Sequence, residues 1–457
     1  MRSIITASMV TLVLVGTFIA ASDVRLVRAS GGIYIRADGS IDPPTANLTT
    51  YDNVTYTFTG HNHDSIVVER DHIVVDGADY TLQGDGAYTS RGIDLTDRTN
   101  VTVQNTHINN FSCGLWLNGS SGIRISGNTL TNHQDGVSLD SSFGNIVSGN
   151  NVTANDFDGI YLRASHGNLI SGNTITNNDD GVELYISSNN TIAGNTMKNR
   201  RTGVVLYACP NNRVHDNTLT NDGFLFHGSD QNAVANNTIN GKPLVYLEGV
   251  SNYTVTGNAG QVVLVRCEYM RVENLTLSNT CVGITLDWTS HSNISRNTVT
   301  AHLYGMKFYS SSNNRVFHNN FIDNTDHISI HNSVITADDG YPSGGNYWSG
   351  YTDVDVCKGP DQNETGSDGV WDHPYGIVPS PTPTQYDTYP LTRPYGEPVG
   401  DVDGDRDVDI FDIVLMAAAY GATYPGAAYD RLRDLDLDGD IDLFDIVLAA
   451  GSYGDSW

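Results

Sequence analysis

A phrase of about 22 residues recurs through the middle of this chain. It reads Gly-Asn-Thr-Leu at 127–130, Gly-Asn-Asn-Val at 149–152, Gly-Asn-Thr-Ile at 172–175, Gly-Asn-Thr-Met at 194–197 and Asp-Asn-Thr-Leu at 216–219. The apolar residue that opens each copy falls at Val103, Ile125, Val147, Ile170, Ile192, Val214, Val234, Val255, Val272, Ile294 and Val316. Most steps are 22 or 23 residues, and those between Val214 and Val272 are shorter. A fixed period of this size, with short alternating strands and Gly/Asn corners, specifies a stacked solenoid.

Within a copy, Gly159-Ile-Tyr-Leu-Arg alternates inward Ile160 and Leu162 with outward Tyr161 and Arg163. Asn168-Leu-Ile and Gly-Asn-Thr-Ile supply two shorter strands, with polar corners between them. Three strands per turn predict an all-β, right-handed parallel β-helix. Residues 31–91 read as an N-terminal cap with imperfect first rungs, and the repeats run from 92 to 332 without interruption. The Asn column at 128, 150, 173, 195, 217 and 237 and the Ser column at 142, 165, 187, 229 and 311 are expected to be structural ladders that satisfy backbone groups at the corners.

At 333–391 the rhythm breaks into an aromatic tail, Gly344-Gly-Asn-Tyr-Trp-Ser-Gly-Tyr followed by Tyr386-Asp-Thr-Tyr-Pro-Leu. Its rings suit a cap over the exposed last rung. A linker at 392–399 precedes a final module at 400–457.

The repeats with this tail resemble the NosD-type β-helix family of secreted archaeal and bacterial proteins, whose repeats are also described as a carbohydrate-binding and sugar-hydrolysis type. The resemblance covers about residues 60–391 and implies a parallel β-helix. The family label implies periplasmic copper handling, which this chain does not support. Copper is held by clustered His, Met or Cys, whereas His215, His227, His291, His318, His327 and His331 are scattered along the sequence.

The chain carries 52 acidic and 24 basic residues, a net charge of −28, which argues against binding nucleic acid through its phosphates. Arg2 and the apolar run Ile4–Ala21 read as a signal peptide within 1–29, with an uncleaved anchor as the alternative. After cleavage no other segment is apolar enough to cross a membrane, so the product is expected to be extracellular or on the cell surface. Sequons at Asn47, Asn53, Asn100, Asn110, Asn118, Asn151, Asn252, Asn274, Asn293 and Asn363 fit a secreted glycoprotein. Five cysteines lack metal-site spacing; Cys267 and Cys281 are either a disulfide or two buried thiols.

Near the C-terminus, Asp401-Val-Asp-Gly-Asp-Arg-Asp-Val-Asp-Ile-Phe-Asp412 recurs 33 residues later as Asp434-Leu-Asp-Leu-Asp-Gly-Asp-Ile-Asp-Leu-Phe-Asp445. Asp401, Asp403, Asp405, Asp409 and Asp412 in the first copy, and Asp434, Asp436, Asp438, Asp442 and Asp445 in the second, stand where oxygen ligands surround Ca2+. Asp407 and Asp440 supply the backbone carbonyl position. Each loop runs into an apolar helix. From Gly400 onward fourteen Asp face three Arg, leaving −11 in this module, so calcium-coupled folding is expected. The paired loops resemble a dockerin, an EF-hand-like module. That resemblance implies a cohesin-like partner, met through Ile410, Phe411, Leu443 and Phe444. Arg406 stands where the family has Gly.

The outward positions of the long strand form two columns, Trp116, Ser138, Tyr161, Glu183, Val205, Leu225 and Asn118, Asp140, Arg163, Tyr185, Tyr207, His227, with Asp287 and Tyr309 further along. Aromatics beside carboxylates suit a carbohydrate, because flat ring faces stack on sugars and polar groups take the hydroxyls. Trp116, Tyr161, Glu183, Tyr185, Tyr207 and His227 are therefore the expected substrate-binding residues. Asp135, Asp158, Asp180 and Asp222 form a further stack at the strand entrances, interrupted by Thr202. Pectate lyases are similar in architecture and use calcium-holding Asp residues with an Arg base. That likeness puts Asp140 and Arg163, backed by Asp158 and Asp180, forward as catalytic. Asp140 and Glu183 lie two rungs and one column apart, about 12 Å, too far for a hydrolase pair. Three functions stand open: a carbohydrate-binding surface protein, a polysaccharide lyase or glycosidase, and a non-enzymatic envelope or adhesion protein.

Overall fold

The computed structural model describes residues 32–377, 385–397, 400–403, 407–423, 426, 428, 433–435 and 440–455. The signal segment, Arg406 and the metal-loop residues Asp405, Asp436 and Asp438 lie outside them. The chain forms a right-handed parallel β-solenoid of about 13 turns, nearly all β.

Long strands from Cys113–Asn118 through Asp135–Asp140, Asp158–Arg163, Asp180–Tyr185 and Thr202–Tyr207 to Phe224–His227 pair in parallel, one rung on the next. Two shorter strands complete each turn, as Leu169–Ser171 and Thr174–Thr176 do after Asp158–Arg163. Inward residues such as Ile160, Leu162, Ile170 and Ile175 are wholly buried.

The Asn and Ser ladders form as expected. Asn150 Oδ1 accepts from the backbone N–H and side-chain amide of Asn128, at 3.0 and 3.1 Å, while its own Nδ2 donates to the Ile125 carbonyl. Asn155, Asn178 and Asn199 build another such ladder, which ends on Asp222: Asp222 Oδ2 accepts from Asn199 N and Nδ2. Asp222 thereby leaves the outward stack and turns into the core, fully buried. Burial raises its carboxyl to about 7. Cys209 occupies a place in the Ser ladder, accepting from Ser187 N at 3.2 Å. All five cysteines are free.

The repeats do not run unbroken from 92 to 332. After strand Thr238–Ile239, Asn240 and Gly241 both take positive φ (51° and 76°) and reverse the chain into Lys242–Glu248, which pairs antiparallel with Ile239 opposite Lys242. This two-residue Asn-Gly hairpin ends one stack and starts a second, built on long strands Lys242–Glu248, Gln261–Val265, Val282–Asp287, Tyr304–Tyr309 and Asp326–His331. One 13-stranded sheet runs through both stacks.

The outer face of the second stack closes the end of the first. Gln261–Val265 is therefore buried on both sides: Val262 and Leu264 in their own stack, Val263 and Val265 against the first. Gln261 replaces a missing strand, its Oε1 accepting from Phe224 N (2.9 Å) and its Nε2 donating to Phe224 O (2.6 Å). Asp287 Oδ2 accepts from Gly228 N at 2.9 Å.

The aromatic tail caps the second stack. Tyr347–Trp348 adds to strand Asn320–Ile322, and Trp348 stacks between Phe321 (4.5 Å) and Tyr375 (4.3 Å). Buried Asp387 accepts from Trp348 Nε1 and Asn346 N, at 2.8 and 2.7 Å.

Among the described residues the only helices are Ile410–Ala419 and Leu443–Gly451, each N-capped by an Asp in a capping box, Asp409 and Asp442. Among the described residues no helix is long and apolar enough to cross a membrane.

Candidate functional site

The two outward columns take the register the sequence predicts: Trp116, Ser138, Tyr161, Glu183, Val205 and Leu225 align, as do Asn118, Asp140, Arg163, Tyr185, Tyr207 and His227. Because neighbouring rungs lie about 4.8 Å apart, flat side chains in one column stack. Tyr185 lies on Tyr207 (5.2 Å between centroids) and Tyr207 on His227 (4.6 Å).

The stack does not end with the first solenoid. His227 meets Tyr309 of the second at 4.0 Å and His331 at 5.6 Å, and Tyr309 and His331 are parallel at 5.1 Å. Five rings thus run around the inner angle where the two stacks join. Sequence reading placed Tyr309 near the column; it did not place His331 there, because that contact depends on the hairpin. Burial, with Lys307 and His331 nearby, lowers the His227 pKa to about 4, so the ring is neutral and stacks as an arene.

A second group sits at the other end of the same strands. Carboxylate atoms of Asp158, Asp180 and Glu183 lie within 4.8 Å of one another. Arg201 clamps Asp180 through two of its nitrogens and lies 3.6 Å from Asp179. Burial, then Glu183, Asp135 and Asp180, hold the Asp158 carboxyl far above the usual carboxylate range. Burial and Asp180 also raise Glu183. Sequence reading had separated these three, with Asp158 and Asp180 as supports and Glu183 as a sugar contact. A strand-entrance position and a mid-strand position converge because both side chains stand on the outer face.

The Asp140–Arg163 pair is a separate feature. The two form an ion pair on adjacent rungs, with the Arg163 side chain 56% exposed, and Asp158 and Asp180 look to Arg201 instead. The proposed four-residue catalytic set is therefore split into two places. Trp116 also stands apart from the ring ladder, with the Arg91 guanidinium 4.2 Å over its ring. Tyr161 is half-buried beside Glu183.

Between the stacks opens a cleft of about 420 Å³, lined by Arg200, Arg201 and Asn221 from the first and His302, Leu303 and Thr325 from the second. The angle thus carries the cleft at the strand entrances and the ring ladder at the strand ends. Between them stands Lys307, half-buried, with its ammonium 5.9 Å from the Tyr304 ring centroid and no ion-pair partner among the described residues. Burial lowers its pKa.

In the C-terminal module, carboxylates of Asp401, Asp403 and Asp412 gather, as do those of Asp407, Asp409 and Asp412. Asp412 is fully buried, with Oδ1 accepting from Val402 N (2.7 Å) and Oδ2 from Asp409 N (2.7 Å). Asp445 repeats this with Leu435 N (2.5 Å) and Asp442 N (2.7 Å). Ile410, Phe411, Leu443 and Phe444 are 54–68% exposed.

Among solved structures, the chain is similar to the DFA-IIIase of Arthrobacter chlorophenolicus A6 without its lid (17% identity, TM-score 0.32, 51% of this chain and 62% of that one). It is also similar to the tailspike protein of E. coli bacteriophage HK620 in complex with a pentasaccharide (10%, 0.33, 60% and 62%). A third is the A-module of the Azotobacter vinelandii mannuronan C-5 epimerase AlgE6 (13%, 0.30, 64% and 84%). The chain spans about three fifths of the length of the first two. No curated protein sequence matches it. The family model described as periplasmic copper-binding protein (NosD) matches residues 47–252 and 179–353, together more than half of the chain. With its repeats, its ladders and its capping tail all inside or adjoining that span, the chain belongs to the NosD family.

Proposed function

We propose that this protein is a secreted or cell-surface carbohydrate-binding β-solenoid that holds a polysaccharide along the angle between its two stacks. The observation that carries this reading is the ring ladder Tyr185–Tyr207–His227–Tyr309–His331, beside an acidic and hydrogen-bonding surface. Sugar rings present apolar C–H faces to arenes and hydroxyls to carboxylates. A glycan array probed with the purified protein tests it: binding to at least one polysaccharide class is expected, and an array with no bound glycan contradicts it.

A second reading, cleavage of the bound chain, has one specific support. Asp158 keeps its proton next to Asp180, which Arg201 holds. Their separation is nearer the spacing of retaining glycosidases, about 5–5.5 Å, than the wider inverting spacing. Asp158 is the proton donor in this reading. Release of reducing ends that Asp158→Asn abolishes would support it; unsaturated products lost in Arg163→Ala would favour the lyase instead.

Copper does not fit the residues. The described groups of three or more ligand side chains are all carboxylates, which suit hard cations rather than copper, and His227 is enclosed by rings. Calcium fits better: Asp401, Asp403, Asp407, Asp409 and Asp412 of the first loop, with Asp434, Asp440, Asp442 and Asp445 of the second, are the described residues that would hold it. Calcium there supplies charge compensation for a dense acidic module. The exposed Ile410, Phe411, Leu443 and Phe444 then serve a cohesin-like partner. Pull-down by a cohesin panel in calcium, lost in EDTA, tests the docking.

A further inference from the structure

We propose that the polysaccharide held in the inter-stack angle is acidic, and that Lys307 pairs with a carboxylate of one of its sugars. This rests on the carbohydrate-binding reading above and deepens it.

Lys307 stands out among the basic residues. The chain has 52 acidic side chains against 24 basic ones, and Arg36, Arg91, Arg98, Arg163, Arg201, Arg266, Arg271 and Arg315 all have carboxylate partners. Lys307 has no ion pair among the described residues and, unlike half-buried Lys242 and Arg70, which donate to the carbonyls of Thr276 and Ala37, no hydrogen bond either. Burial still lowers its pKa although Asp287 acts in the opposite direction, and a further anionic partner offsets the cost of withdrawing the cation from water.

Its position selects the partner. In the second stack Thr285 and Lys307 are register partners, and so are Asp287 and Tyr309, all on the outer face. Lys307 is thus one column from the ring ladder and close enough to His227 to depress its titration. A sugar laid along the edges of His227 and Tyr309, whose faces are covered by neighbouring rings, presents its exocyclic substituent to the neighbouring column, where the ammonium lies.

The surrounding acids do not repel such a ligand as the net charge would suggest. Arg201 neutralises Asp180. Asp158 keeps its proton. Asp287, held by Gly228 N, is raised by burial to about 7. Lys307 and Arg200, which donates to the carbonyls of Asn155 and Asp156, are then the cations of the angle that have no carboxylate partner among the described residues.

The test compares uronic-acid hexasaccharides (mannuronate, guluronate, galacturonate) with their methyl esters, which keep the ring and remove the charge, by titration calorimetry on the full chain. At least one acid is expected to bind about tenfold or more tightly than its ester, the weight of one charge-assisted contact. Lys307→Met should erase that difference, and Lys307→Arg should restore most of it. Removing a half-buried charge does not threaten folding, which the melting temperature will report. If no acid binds better than its ester, or if Lys307→Met keeps the difference, the inference is overturned while carbohydrate binding stands. If no glycan binds at all, neutral or acidic, both readings fall.

Discussion

His227 and Tyr309 lie 4.0 Å apart between ring centroids, although 82 residues and a chain reversal separate them. One belongs to the last long strand of the first stack and the other to the fourth of the second. Their contact turns two separate outward columns into one continuous surface. That surface exists only because the Asn240-Gly241 hairpin redirects the solenoid.

The corner after each long strand is left-handed at Ser141, Ala164, Ile186 and Ala208 (φ 46–52°). A β-branched residue is strained there, and the Ile186 side chain is 51% exposed, so it gains little by burial. Ile186→Gly should raise stability by about 1 kcal/mol, read as a higher midpoint in urea. An unchanged or lower midpoint would contradict the strain.

Asp222 completes an asparagine ladder as a carboxylic acid. Its folded pKa is about 7, against 3.8 ordinarily. Between those values the folded state holds a proton that the unfolded state has lost, so stability falls as pH rises from about 4 to 7 and stays reduced above. Asp222→Asn should remove that slope and gain about 2–4 kcal/mol at pH 8. Unfolding curves at pH 4 and pH 8 check it: parallel pH profiles for the two proteins would contradict the role.

Much of this was legible in the residues. The 22-residue period gave the rungs, the polar columns gave the ladders, and strict alternation gave both outward columns in correct register. Two things were not. Asn240-Gly241 is a hairpin signal in its own right, but amid so many Gly/Asn corners it reads as one more of them, and only the shortened steps around Val234 and Val255 mark the break. The Asp158–Asp180–Glu183 cluster is not legible because sequence columns carry no side-chain reach, and Arg201 stands one residue outside the strand Thr202–Tyr207. Lys307 was missed because its burial comes from the meeting of the stacks.

Calcium should order the C-terminal module. Titration calorimetry is expected to show two sites, and Asp412→Ala or Asp445→Ala to remove one each, because each carboxylate gathers its loop. Circular dichroism should lose helical signal in EDTA. Identical spectra with and without calcium would contradict metal-coupled folding.

The most direct test of the carbohydrate reading compares two exposed tyrosines. Tyr207 lies within the ring ladder and is 40% exposed; Tyr253 lies off it and is 53% exposed. With the glycan selected on the array, Tyr207→Ala should weaken binding about tenfold, as expected for loss of a ring from the middle of the ladder, and Tyr253→Ala should leave it unchanged. Equal affinities for wild type and Tyr207→Ala would contradict the claim that the angle between the stacks is where the polysaccharide binds.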